Sequence, residues 1–341
     1  MLKDKVRTMS YQRAIQRSAH AIRGKVVLDV GCGTGILSMF CARAGARKVY
    51  AVEMSSIAET AAEIVKENGL DGVVTIVRGK IEDVELPFEA DGIAERKVHV
   101  IVSEWMGYFL LYESMLDAVA VARERFLAPG GLVMPDSARL HICGIEDGEY
   151  RSEKIDFWSN VYGFRMDAIK RMAIEEPLVD TVDAEQVCTS SSIVRRIDIG
   201  SVSSGGSTSS FSAPFKVFAT RSDLIHALVG YFDCTFSIPP SAAGAGAPAG
   251  ADSGANGDGR RRQENHAAVV LPTGPHDEYT HWKQTVFYLD EPIQVHEGEV
   301  LEGTIVCRPN EGNPRDLDIS ITYEFNGDSG SVRRTMDYKM R

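Results

Sequence analysis

Short apolar runs alternate regularly with helical segments over the first 134 residues. Apolar, β-branched runs, typical of buried parallel strands, lie at 26–30, 48–52, 73–77, 98–102 and 131–134. Between them, helical segments lie at 36–44, 57–68 and 115–126, and residues 1–22 also have helical character. Strands that alternate with helices in this way predict an α/β domain built on a doubly wound parallel sheet.

The pattern changes near Pro135. Short β-rich segments follow at 139–145, 192–199, 215–219, 230–237, 284–289, 300–306 and 317–325. Such a series predicts an antiparallel β domain, either a barrel or a sandwich. The expected domains are therefore 1–134 and 135–341.

Two segments interrupt the β domain. Residues 158–178, within a candidate arm at 150–180, have an amphipathic helical pattern. Their apolar side chains either mediate association with another chain or pack on their own β domain. Residues 239–273 are rich in Ala, Gly, Pro and Ser, which predicts a disordered insertion. The basic triplet Arg260–Arg262 within it suits either a partner contact or a solvated linker.

Charge and cysteine content narrow the class of protein. The chain carries 48 acidic residues against 37 Lys and Arg, a net charge of −11. This balance argues against direct nucleic-acid binding and favours a cationic partner. The six cysteines include no C-x-x-C pair, so neither a disulfide framework nor a metal site is expected. No signal peptide or bilayer-spanning run is evident, which predicts a soluble nuclear or cytosolic protein with no membrane partner.

A glycine-rich turn follows the first strand, in the segment VVLDVGCGTG at 26–35. Gly31, Gly33 and Gly35 form G-x-G-x-G, and Ile36 stands where the dinucleotide fingerprint requires its third glycine. Asp29, just before the turn, suits a ligand with an ammonium group and would repel phosphate. These features favour S-adenosylmethionine, which has an α-amino group, a sulfonium and no phosphate.

Two further acids suit the same ligand. Glu53 ends the second strand, where a carboxylate accepts hydrogen bonds from ribose hydroxyls. Glu82 follows the third strand and is a candidate acceptor for the adenine amino group, although a surface acid is an equally open interpretation.

The fourth strand runs into IVSEWMGYFLLYESML at 101–116, in which Glu104 and Glu113 bracket an apolar, aromatic stretch. The carboxyl ends of strands line the ligand crevice of an open α/β sheet. Charges in such an apolar setting need partners. Two nearby carboxylates favour a cation between them, and the planar guanidinium with five N–H donors matches their geometry.

With these segments in view, the chain resembles the type I protein arginine methyltransferases of the predominant small eukaryotic kind. The resemblance rests on VLDVGCGTG, on the double-glutamate loop SEWMGYFLLYESML, on the arm VYGFRMDAIKRMAIEEPLVD and on THWKQTVFYL. It covers Met1 to Arg341 except for the insertion. It implies a Rossmann-like S-adenosylmethionine-binding domain, an antiparallel β-barrel with a helical dimerisation arm, and a homodimer.

The resemblance also implies a reaction and its partners. The product is mono- and asymmetric dimethylarginine on arginine-rich proteins, including Arg/Gly-rich proteins, histone tails and RNA-binding proteins, in nucleus and cytoplasm. Glu104 and Glu113 then grip the substrate guanidinium. His281, in the Thr280–Trp282 motif, lies across the pocket and pairs with Asp4.

On the cofactor side, the resemblance places Arg7 on the cofactor carboxylate. Asp29 and Gly31 contact the methionine part, Glu53 the ribose and Glu82 the adenine. Met115 lines the space beside the transferred methyl group.

Two alternatives stay open at this point. Family members usually carry a further N-terminal helix with a tyrosine pair over the cofactor, and this sequence begins after that position. A weakly active or regulatory partner subunit is therefore one alternative, although the intact double-glutamate loop argues against it. The other is a methyltransferase for small molecules, against which the large β domain and the THW motif argue.

Overall fold

The computed structural model describes residues 2–240 and 268–341. Its N-terminal domain is built on a five-stranded, wholly parallel sheet in the order β3-β2-β1-β4-β5. The strands are β1 (Val26–Val30), β2 (Lys48–Glu53), β3 (Val74–Arg78), β4 (Val98–Val102) and β5 (Leu127–Met134). The helices are α1 (Lys5–Arg17), α2 (Ala19–Ile22), α3 (Ile36–Arg43), α4 (Ile57–Glu67) and α5 (Leu116–Phe126).

The order of this sheet decides where a site forms. β1 lies between β2 and β4, and Asp29 is in register with Ala51 on one side and Val102 on the other. The carboxyl ends of these three strands therefore meet at one edge. All five residues of β1 are buried, as its apolar, β-branched sequence predicts.

Helix α1 joins the two domains over that edge. Its buried face packs Tyr11, whose hydroxyl donates to the Ser103 carbonyl at 2.8 Å. The Tyr11 ring also meets Phe236 of the second domain edge to face, with centroids 4.8 Å apart. Residues at the start of α1 are thereby held above the ends of β1 and β4.

The C-terminal domain consists of antiparallel sheets, as predicted. One sheet has the order β7-β12-β10-β6-β8 with β11 paired to β10, and the other has the order β15-β14-β13-β9. The first is built from β6 (Ser137–Ile145), β7 (Leu178–Asp180), β8 (Ser192–Asp198), β10 (Asp223–Phe236), β11 (Val269–Pro272) and β12 (Gln284–Val295). The second is built from β9 (Phe211–Phe218), β13 (Val300–Pro309), β14 (Leu317–Gly327) and β15 (Gly330–Met340). Next to β8, the Ser190 amide donates to the Phe218 carbonyl of β9 at 2.7 Å, so the sheets curl around one core in a barrel-like manner.

Three of these strands are absent from the sequence prediction, namely β7, β11 and β15. Strand β15 pairs with β14 along its whole length, but it is rich in charged residues and mostly exposed, so it lacks the apolar signal of a buried strand. Strand β11 lies within the predicted disordered insertion at 239–273, so the prediction of disorder is wrong for residues 269–272. Its Leu271 is buried and pairs with Cys234 of β10. Within the predicted insertion, residues 241–267 lie outside the described residues.

The arm, for which a helical pattern was predicted at 158–178, consists of several short helical parts. It comprises α6 (Gly148–Tyr150), a π-helical turn (Arg151–Ile155), a 3-10 turn (Asp156–Ser159) and, after a tight turn, α7 (Asp167–Glu175). The break falls where Tyr162 and Gly163 adopt positive φ angles of 52° and 89°.

One face of the arm, with Ile155 and Ile174, packs on the six-stranded sheet. The other face leaves large apolar side chains exposed, namely Phe157, Tyr162, Phe164, Ile169 and Met172. The arm therefore packs on its own β domain with one face and leaves the other face exposed. Among the described residues, no helix has the length and apolar character to cross a membrane.

Candidate active site

The glycine turn lies at the edge where the parallel strands end, between β1 and α3. Gly31, Gly33 and Gly35 have φ angles of 71°, 54° and 82°, which glycine adopts without strain. A Cβ atom at Gly31 would lie 2.6 Å from the Met115 Cε. The structure thus places Met115 directly against the turn.

Asp29 lies fully buried beneath this turn. Its Oδ2 accepts a hydrogen bond from the Ser38 hydroxyl at 2.6 Å, whereas its Oδ1 has no partner. Burial raises the pKa of the Asp29 carboxyl to about 7. An unpaired buried carboxylate oxygen is costly, and an ammonium group from a ligand would satisfy it.

Glu53 closes the turn from the neighbouring strand. Its Oε2 accepts from the Gly33 amide at 3.0 Å, and its Oε1 accepts from the Ser55 amide at 2.9 Å. Each carboxylate oxygen has a second lone pair, so ribose hydroxyls have acceptors here. Glu82 is exposed on the turn after β3, and within the described chain its carboxylate makes no hydrogen bond or ion pair.

Arg7, which the resemblance places on the cofactor carboxylate, is bound to Glu104 in this structure. Its Nε and Nη2 each lie 3.1 Å from Glu104 Oε2, and both side chains are buried. Burial raises the pKa of Glu104 to about 7, even though the Arg7 guanidinium opposes this effect. Since α1 crosses above the end of β4, Arg7 lies within hydrogen-bonding distance of this buried carboxylate.

The structure brings Asp4 and His281 together. Asp4 caps α1 by accepting from the Arg7 amide at 2.9 Å. Its Oδ2 accepts from the His281 amide at 2.8 Å and lies 2.7 Å from His281 Nδ1. Burial tends to raise the pKa of Asp4, but these hydrogen bonds hold it below its usual value. Burial lowers the pKa of His281 despite Asp4, so the imidazole is neutral near pH 7 and Nε2 is an acceptor when Nδ1 donates to Asp4.

The neighbours of His281 have packing roles. Trp282 is buried and donates its Nε1–H to the Met106 carbonyl at 3.1 Å, as expected for a packing residue. His281 lies against its ring, with centroids 4.0 Å apart. The turn is therefore anchored by Trp282 and capped by Asp4, which fixes the imidazole.

Glu113 lies on a tightly folded loop after β4. Its φ angle is 55°, and Phe109 and Leu110 also have positive values. Its amide donates to the Arg315 carbonyl at 3.2 Å, and its Oε1 lies 3.3 Å from Arg315 Nη2. The structure does not bring the Glu104 and Glu113 carboxylates onto one shared partner. Each glutamate holds a different arginine of the chain, Glu104 in the interior and Glu113 at the surface.

Sequence reasoning did not identify Arg315 as part of the site. It belongs to the turn after β13, far along the chain from Glu113, and nothing in its local sequence marks it. Only the docking of the β domain against the Glu113 loop brings the two together.

These residues fit S-adenosylmethionine. The open glycine turn lets a ligand approach the backbone, and the unpartnered Asp29 oxygen matches an ammonium group. Across the described ranges, no group of three or more His, Cys, Asp or Glu side chains could hold a metal ion.

Comparisons with known proteins give a consistent result. The profile of the arginine methyltransferase oligomerization subdomain matches residues 136–243 and 261–329. The profile of a methyltransferase domain matches residues 27–131. The chain is similar to protein arginine N-methyltransferase 1 of Chlamydomonas reinhardtii, with 47% identity over 100% of this chain and 89% of that protein. It is also similar to protein arginine N-methyltransferase 1 of Schizosaccharomyces pombe, with 49% identity over 96% of this chain and 86% of the relative.

Solved structures agree with these sequence comparisons. The Trypanosoma brucei PRMT1 enzyme–prozyme heterotetrameric complex with AdoHcy contains a similar chain, with a TM-score of 0.87 and 41% identity. The match covers 100% of this chain and 96% of the other. Arabidopsis thaliana protein arginine methyltransferase 10 has a TM-score of 0.81 and 30% identity, with the same coverage.

Proposed function

The chain belongs to the protein arginine N-methyltransferase family, and from that premise we propose that it is a type I enzyme acting on arginine in proteins. It uses S-adenosylmethionine and produces mono- and asymmetric dimethylarginine. The observation that carries the proposal is that both loop glutamates, Glu104 and Glu113, already bind a guanidinium. The partner-subunit alternative is less favoured, since both glutamates are in place and the relatives named as methyltransferases align over the whole chain.

On the cofactor side, the bound cofactor supplies an electrophilic methyl group on a sulfonium. Asp29 accepts from the ammonium group through its free oxygen, Glu53 binds the ribose and Glu82 the adenine amino group. Arg7 keeps N–H donors that Glu104 does not use, and these are proposed for the cofactor carboxylate. Met115, packed on Gly31, lines the space beside the methyl group.

On the substrate side, Glu104 and Glu113 orient the guanidinium so that one nitrogen faces the methyl carbon. Alignment is the main task, because holding the reactants in line removes most of the entropic barrier. When bound, the cofactor would supply the methyl group and leave as S-adenosylhomocysteine, and the substrate nitrogen would give up one proton. Glu113 or the neutral His281 accepts that proton, and Asp4 holds the imidazole in place.

Mass spectrometry tests this function directly. The purified protein, incubated with S-adenosylmethionine and an Arg-Gly-Gly repeat peptide, is expected to add one and then two methyl groups per arginine. Fragmentation should identify both methyl groups on one terminal nitrogen. A peptide with lysine for arginine is the control. Symmetric product would contradict type I, and the lack of any transfer would contradict the activity.

Further proposals concern substrates and location. We propose Arg/Gly-rich proteins, histone tails and RNA-binding proteins as substrates, with no direct binding to nucleic acid, in both nucleus and cytoplasm. The net charge of −11 supports cationic substrates, because the field of an acidic protein steers them.

Asp29 predicts how cofactor affinity depends on pH. Burial raises the pKa of the Asp29 carboxyl in the folded protein from 3.8 to about 7. Its contribution to the free energy of unfolding of the ligand-free protein is therefore fully present below pH 3.8. That contribution is lost as the pH rises through about 7. An ammonium ligand favours the ionised carboxylate. Affinity for S-adenosylhomocysteine should therefore rise roughly tenfold between about pH 6 and pH 8.

Titration calorimetry at three pH values measures this dependence. Asp29→Asn should bind more weakly and lose the pH dependence, whereas Asp71→Asn, on an exposed turn, should keep both affinity and slope. An unchanged slope in Asp29→Asn would assign the titration to another group.

The arm predicts a homodimer. We propose that its exposed apolar face docks on the cofactor domain of a second copy, since Tyr162 is 96% exposed and lies beside Phe164. Exchanging both for aspartate should weaken dimerisation by roughly 30-fold or more. Sedimentation equilibrium measures it, with Phe218→Asp, an exposed aromatic of β9, as control. A wild-type monomer with full activity would refute the proposal.

A further inference from the structure

The turn between β13 and β14 is built to present Arg315. The Asn310 side-chain oxygen accepts from the amides of Gly312 and Asn313 at 2.9 and 3.1 Å. The Asn313 side chain in turn accepts from the Arg315 amide at 3.3 Å. The Asn310 amide also donates to the Asp316 carbonyl at 2.9 Å, which closes the turn. The backbone at Arg315 is thus fixed before it meets any partner.

The opposing loop is equally constrained. A Cβ atom at Gly107 would lie 1.6 Å from the Tyr112 carbonyl oxygen, so the loop folds back tightly on itself. Its Glu113 amide then docks on the Arg315 carbonyl. This contact holds the backbones of the two residues close together and does not depend on the rotamer of either side chain.

The side-chain contact itself is exposed. The Glu113 side chain is 50% exposed and that of Arg315 is 69% exposed. Ion pairs of this kind are weak because water screens them and both side chains lose rotamer freedom. The Arg7–Glu104 pair is buried, so it is much harder to displace. Of the two glutamates, only Glu113 holds a guanidinium that a ligand can readily replace.

We propose that Arg315 is an internal competitor of the substrate guanidinium for Glu113. The inference rests on the proposed function. Arg315 presents the same planar group as the substrate, and the Glu113 oxygen that faces it is one that the substrate needs. Arginine peptides therefore bind by exchange, in which Glu113 releases Arg315 and turns to the incoming arginine. The competition raises the KM of every arginine substrate and leaves the transfer step unchanged.

Steady-state kinetics with the Arg-Gly-Gly peptide test the exchange. Arg315→Ala should lower KM roughly two- to fivefold, the range expected for an exposed pair, with kcat within about twofold of wild type. The backbone carbonyl that holds Glu113 is retained in any variant. Arg315→Lys should lie between, because the ammonium keeps the charge but not the planar donors. Arg333→Ala, which removes an exposed arginine near Glu324, is the matched control and should change neither constant.

Salt provides a second readout that a purely structural role would not move. The ratio of wild-type to Arg315→Ala KM should approach one as ionic strength rises, since screening weakens the competing pair. An unchanged KM in Arg315→Ala would overturn the inference. A higher KM or a tenfold loss of kcat would do so as well, because Arg315 would then hold Glu113 in its productive position.

Peptide binding separates the inference from the proposed function. Fluorescence anisotropy of a labelled peptide in the presence of S-adenosylhomocysteine compares the same four proteins without turnover. If the wild type fails to methylate but Arg315→Ala binds the peptide more tightly, the function is wrong and the competition stands. If the wild type methylates and both proteins bind equally, only the inference fails.

Discussion

Glu113→Gln is expected to reduce methyl transfer by roughly 10²- to 10⁴-fold, the range for loss of a positioned group that orients the substrate and accepts a proton. Glutamine has the same shape as glutamate, and the loop is held by the Glu113 amide on the Arg315 carbonyl, which the substitution retains. What disappears is the negative charge that binds the guanidinium and is able to take its proton.

Initial rates with an Arg-Gly-Gly peptide measure the loss of methyl transfer. Calorimetry measures the affinity for S-adenosylhomocysteine, which should stay within about twofold of wild type. A half-exposed carboxylate outside the glycine turn contributes little to cofactor binding. Glu311→Gln, an exposed glutamate in the facing turn, is the matched control and should keep full turnover. Near wild-type turnover in Glu113→Gln would remove this residue from the reaction.

Glu104→Ala is expected to lower the free energy of unfolding by about 3–5 kcal/mol, because it leaves the buried Arg7 guanidinium without a counter-ion. Denaturant unfolding measures the change. The double variant Arg7→Met with Glu104→Leu should recover most of the lost stability, since an apolar pair of similar volume replaces two desolvated charges.

The double variant should nevertheless transfer no methyl groups, which would separate the structural part of this ion pair from its catalytic part. Glu59→Gln, which breaks the exposed Arg78 pair, is the control and should cost less than about 1 kcal/mol. If Glu104→Ala lowered the free energy of unfolding by no more than this control does, water would reach Arg7 and the Arg7–Glu104 pair would not be buried.

The strands of the parallel sheet were predictable because each is an apolar, β-branched run bounded by turns. The sequence places the first strand at 26–30 and the fourth at 98–102, and the structure has both there. Strand β15 was not predictable, since a half-exposed strand at the edge of its sheet carries charges where a buried strand carries apolar residues.

Some residues of the candidate site could also be picked out from the local sequence, and others could not. Asp29 and Glu53 were singled out from local patterns, because each lies at or near the carboxyl end of an apolar strand and Asp29 directly precedes the glycine turn. The contact of Asp4 with His281 was expected from a family resemblance, and no local signal links positions so far apart.

Periodicity and neighbouring residues were enough to predict the two-domain plan, the glycine turn and the pair of loop glutamates. The arginine that each glutamate holds is visible only in the folded chain. That choice depends on α1 crossing the end of β4 and on the β13–β14 turn docking against the Glu113 loop. Such contacts arise from the packing of distant segments, so charge and spacing along the chain do not specify them.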